Sequence, residues 1–117
     1  MKTRVIVCLA AVSLFAAAAA ENGDHAAFMH AMHESMGGMN MAMSAASMTG
    51  NPDRDFASMM IPHHQGAIDM AKVELSYGKD PVMRRLAQGI LVEQQSEIEA
   101  MQLWLHKSAA KNHKKEE

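Results

Sequence analysis

Two adjacent histidines, His63 and His64, sit inside the stretch Met59-Met60-Ile61-Pro62-His63-His64-Gln65-Gly66-Ala67-Ile68-Asp69-Met70. On a helix, side chains three and four positions apart share a face. Met60, His63, Ala67 and Met70 then line one stripe, while Met59 pairs with His63 and Met60 with His64 at i, i+4. Two imidazoles and up to three thioethers can converge there. Such a donor set suits a soft transition metal, copper above all. Adjacent residues project about 100° apart, so one histidine is expected to point inward more fully than the other.

A second group of soft donors lies upstream. His25, Met29, His30, Met32, His33 and Met36 are followed by Met39, Met41 and Met43. His25–Met29, Met29–His33 and Met32–Met36 are i, i+4 pairs, and the Met-x-Met-x-Met run is expected to wrap one Cu(I) with little secondary structure. Thioether sulfur is neutral, prefers Cu(I) and its close substitute silver, and never has to lose a proton. Imidazole binds Cu(I) and Cu(II), with protons competing below a pKa of about 6.5. Each methionine has a plainer reading as core filler, and the leader as a compositionally biased segment. His106 and His113 read as solvated surface residues.

Composition narrows the setting. The chain has 117 residues, 13 of them Met and 7 His, with a single cysteine, Cys8. Lys2 and Arg4, an apolar run from Val5 to Phe15 and Ala18-Ala19-Ala20 form the pattern of an export signal over residues 1–20. The run is too short for a confident transmembrane span. Cleavage would remove Cys8, leaving a mature chain without thiol or disulfide. It would also remove two of the cations from a chain that already carries a net charge of −2. That balance argues against nucleic acid and against an anionic membrane as partners. The expected location is the periplasm.

The elements that must position these donors are helical. Residues 21–36 predict a short helix, stopped by Gly37-Gly38, and residues 37–50 a loop or marginal helix. Asn51-Pro52 gives a cap followed by a first-turn proline, and Gly78 an end, with Pro62 expected to kink the helix between them. Asp80-Pro81 starts a last helix by the same logic, with Val82, Leu86, Ile90, Met101 and Leu105 recurring at helical spacing. That helix is expected to fade near Lys107 to Lys111, leaving a charged tail over 112–117. Gln94 and Glu97 interrupt the apolar stripe. They suit either a buried polar network, an exposed edge or a hydrogen bond to His63 or His64. The fold expected is all-α, an antiparallel helical hairpin with a Met-rich leader over residues 21–50.

Phe56-x-x-x-Met60-x-x-His63-His64-x-x-Ala67-Ile68-x-Met70-Ala71, followed by Gln94-Gln95-x-Glu97-Ile98-x-x-Met101-x-x-Trp104-Leu105, resembles a bacterial family of unknown function whose better-known members are the CopM-like periplasmic copper-binding proteins. The resemblance covers about residues 51–107. It implies a ferritin-like helical bundle over residues 51–111 and copper binding linked to copper resistance. By position it points to His63, His64, Met60 and Met70, with Glu97 and Met101 on the facing helix. Many members carry a second copy of the histidine motif, and this chain has one. The leader lies outside the resemblance.

Enzyme readings are weak. Neither Glu-x-x-His nor His-Glu-x-x-His occurs, which removes the signatures of di-iron oxidases and common zinc proteases. The leading expectation is a non-enzymatic protein that sequesters or delivers copper, exchanging it with a copper exporter or chaperone. The competing expectation is a metal-independent helical module that self-associates, as a homodimer, through a Met-rich apolar face.

Overall fold

The computed structural model describes the backbone of residues 3–116 and the side chains of residues 23–110. Three helices follow one another: α1 (Thr3–Ser44), α2 (Pro52–Tyr77) and α3 (Pro81–Glu116). α2 packs against both neighbours, and the protein is an all-α helical bundle, ferritin-like in type, built on the α2–α3 hairpin. The side chains of the expected export signal, residues 1–20, and of the tail, residues 112–117, lie outside the described ones. Among the described residues no helix is long and apolar enough to cross a membrane.

The ends of α2 are fixed by local chemistry. Asn51 caps it, its side-chain oxygen accepting from the Asp53 and Arg54 N–H groups at 3.1 Å each, with Pro52 in the first turn. Asp55 ties the preceding connector down. Its carboxylate accepts from the Thr49 N–H at 2.7 Å, the Thr49 hydroxyl at 2.8 Å and the Gly50 N–H at 3.0 Å. The Thr49 N–H, then the Thr49 hydroxyl, hold this carboxyl below its usual range, with a smaller contribution from Gly50. Gly50 turns the chain at φ 82°, a conformation that suits glycine. At the other end, Arg84 donates to the carbonyls of Leu75 at 2.7 Å and Gly78 at 2.9 Å, placing a cation on the C-terminus of α2. Asp80 caps α3 by accepting from Val82 N–H at 2.9 Å and Met83 N–H at 3.0 Å.

Three expectations are corrected. First, α1 is a single helix that passes through Gly37-Gly38 to Ser44, so there is no loop over 37–44. Two glycines cost a helix about 1 kcal/mol each. Here α1 lies along α2, half-burying Phe28, Met32, Ser35, Met39 and Met43, and this packing outweighs the propensity loss. Second, α3 continues to Glu116 rather than fading near Lys107. The sequence after Leu105 contains no Gly or Pro to stop it and is rich in Ala, Lys and Glu, all good helix formers. Third, the inward stripe of α3 is Ala87, Leu91, Gln94, Ile98, Met101 and Leu105, while Val82, Leu86 and Ile90 are exposed on its flank.

The core is thin: three alanines, Ala57, Ala71 and Ala87, with Ile68 and Ile98. Alanines let the helices approach closely, and Gly66 goes further. A Cβ there would fall 2.6 Å from Cγ and Sδ of Met39, so α1 seats its methionine directly on the α2 backbone. Nearer the far end of α2, Phe28 meets Tyr77 edge-on, ring centroids 6.3 Å apart. These two contacts set α1 antiparallel to α2.

Candidate functional site

His64 is buried among the hairpin residues at 9% exposure, the one buried polar or charged residue described. Its position follows from the α2 stripe: Ala57, His64, Ile68 and Ala71 recur at helical spacing and face α3. Both ring nitrogens are engaged. Nδ1 lies 2.8 Å from the Met60 carbonyl, one turn back, and must donate to it. Nε2 lies 2.5 Å from Oε2 of Glu97 on α3. Glu97 is 58% exposed at its side chain, which leaves the pair open to solvent from the α3 side. No buried polar side-chain atom among the described residues lacks a partner.

A cleft of about 310 Å³ opens beside this pair, lined by Phe56, His64, Glu97, Ala100 and Met101. It thus gathers an imidazole, a carboxylate and a thioether. Met101 and Phe56 also line an adjoining cleft of about 470 Å³ with Asp53, Ala57, Ala100 and Trp104. The Met60 carbonyl fixes the His64 ring through Nδ1. Nε2 is thereby turned toward the cleft, the arrangement in which an outer hydrogen bond orients a ligating imidazole.

The remaining expected donors are spread out. His63 is exposed, its ring set edge-on to that of His64 with centroids 6.0 Å apart and planes at 63°. Met59 is exposed, while the half-buried Met60 and Met70 are absent from the His64 cleft. Of the donors expected to converge, the His64 cleft is lined by that one histidine, with Glu97 and the α3 thioether of Met101. On α1, Met29, His30, His33, Met36 and Met41 are exposed, and His30 pairs with Glu34 at 3.5 Å. Met39 and Met43 face α2, whereas Met41 projects outward at 75% exposure. Met39-x-Met41-x-Met43 is helical here, and its three thioethers lie on two faces of α1. Among the described residues no three His, Cys, Asp or Glu side chains come together to hold a metal.

One grouping has no counterpart in the sequence reading. Met32 of α1, Met70 of α2 and Met83 of α3 line a third cleft, of about 340 Å³, with Glu74. Met83 stands far from the histidine motif in sequence and only the antiparallel register brings it beside Met70.

Residues 10–105 match the family model described as Domain of unknown function (DUF305), and the chain belongs to that family. The match begins inside the segment read as an export signal and takes in α2 and α3 as far as Leu105. The chain is also similar to Uncharacterized protein L153 of Acanthamoeba polyphaga mimivirus, 43% identical over 49 residues. That stretch is 42% of this chain and 32% of the viral protein, so the chain matches about a third of its relative's length.

Proposed function

We propose that this protein binds copper as cargo, sequestering or handing it on rather than catalysing a reaction, and that it does so after export to the periplasm. The observation that carries the reading is the His64–Glu97 pair, with Nδ1 anchored on the Met60 carbonyl and Met101 lining the same cleft. A divalent copper ion would take Nε2 of His64 and a carboxylate oxygen of Glu97 as a nitrogen and an oxygen donor in place of their hydrogen bond. Met101 supplies the sulfur that suits the monovalent state. The exposed carboxylate and the open cleft suit exchange, which a cargo protein needs. Copper tolerance, and hand-over to an exporter or chaperone, belong to this proposal.

The test is a titration of the full chain with Cu(I) and with Cu(II) against a competing chelator. Binding of both ions tighter than that of a scrambled peptide of equal composition is expected. Equal affinities would reject the reading. A second reading, a metal-independent module that pairs with its own copy, draws support from the exposed Val82, Met83, Leu86 and Ile90 on one flank of α3. Sedimentation with and without copper separates the two, since this alternative requires association indifferent to the metal.

A further inference from the structure

We infer that Met32, Met70 and Met83 form a second site, selective for a soft monovalent cation such as Cu(I) or Ag(I), separate from the His64 cleft. Each thioether comes from a different helix, and the three line one cleft of about 340 Å³. The rest of that lining is apolar, including Ala67, Leu86 and Ile90, with Glu74 the single charged side chain. The site therefore discriminates by softness: Cu(II) and Zn(II) do not find their preferred nitrogen and oxygen donors there, and Glu74 offers the one negative charge that a monovalent ion needs for balance.

Access and geometry fit exchange. Met83 is 47% exposed, so the cleft opens at the start of α3, while Met32 and Met70 are half-buried behind it. Methionine has three rotatable bonds and a flexible thioether, which lets sulfurs from three backbones turn toward one point. An ion held there would tie α1 and α3, both packed on α2, to each other through the metal. The site stands on its own donors and does not depend on copper at His64.

The experiment is methyl NMR of the full chain, with its methionine εCH3 groups labelled and assigned, titrated with Ag(I). The εCH3 signals of Met32, Met70 and Met83 are expected to shift together and to saturate at one equivalent of that site. Met83→Leu, a volume-conserving change, should weaken the shifts of Met32 and Met70 at least several-fold, and Glu74→Gln should weaken them less. His64→Ala should leave all three unchanged, whatever it does to Cu(II). Shifts confined to Met101 and the exposed α1 methionines would overturn the site. So would shifts of Met32 and Met70 that persist undiminished in Met83→Leu. Should Met83→Leu fail to fold, the pattern in the unsubstituted chain still decides the matter.

Discussion

The hairpin and the leading helix are both methionine-rich, yet they hold their methionines differently. In α2–α3 the ends are capped by Asn51, Asp80 and Arg84, and the facing residues interlock around His64, Ile68, Ala87 and Ile98. In α1 no acidic residue sits in the first turn and no basic residue in the last, and one narrow stripe touches α2 while Met29, Met36 and Met41 face away. The hairpin is thus self-specified, whereas α1 is a helix by virtue of what it lies against. A donor in the hairpin has a fixed partner. A donor on the outer face of α1 is free to meet whatever arrives.

Substitutions can break this contrast, beginning where the effect is largest. Ile98→Ala removes a buried side chain shared by the helices, and should cost about 2–5 kcal/mol in chemical denaturation. Met36→Ala on the outer face of α1 should cost no more than about 0.5 kcal/mol. Equal losses would mean that α1 is as tightly built as the hairpin. Gly66→Ala drives a Cβ into Met39. Overpacking of about 1–3 kcal/mol is partly offset by a helix-propensity gain of about 1 kcal/mol, leaving a net loss of up to about 2 kcal/mol. Hydrogen exchange should quicken around residues 28–43 and stay unchanged in α3. Uniform quickening would show that α1 and the hairpin open as one unit.

Removing the α2 cap, Asn51→Ala, should cost about 1 kcal/mol. The smallest effect concerns Asp55. Its carboxyl is held below the usual range by the Thr49 N–H and hydroxyl, so the connector is secured above the unfolded carboxyl pKa of about 4 and loosens as pH falls through the lower folded value. Asp55→Asn should lower stability slightly near neutrality, where the carboxylate is charged, and converge with the unsubstituted chain at low pH, flattening the acid limb of the profile. A profile unchanged over the acid limb would remove Asp55 from the account.

The same contrast explains what could be read from the residues alone. Asn51-Pro52, Gly78 and Asp80-Pro81 act within a turn of themselves, so both ends of α2 and the start of α3 were legible. Glu97 was expected on the facing helix through the resemblance of its motif, and the short turn supplies the antiparallel register that sets it beside His64. The inward choice of His64 over His63 was legible only as a divergence, because which ring faces α3 depends on the Ala57–Ala71 stripe. The course of α1 through Gly37-Gly38 was not legible. Local propensity points to a break, and only the packing of Met39 on Gly66 and Phe28 on Tyr77 reverses it. Met83 escaped notice for the same reason: its neighbours Met32 and Met70 belong to other helices.

The central claim, that the inward histidine and its carboxylate partner receive the metal, is tested most directly by Cu(II) affinity in the full chain carrying His64→Ala or His63→Ala. The account predicts that His64→Ala weakens the tightest Cu(II) binding about 10-fold or more, the scale on which even lost outer partners of a metal site act, while His63→Ala changes it little. Identical affinities in the two variants, or a loss confined to His63→Ala, would contradict it.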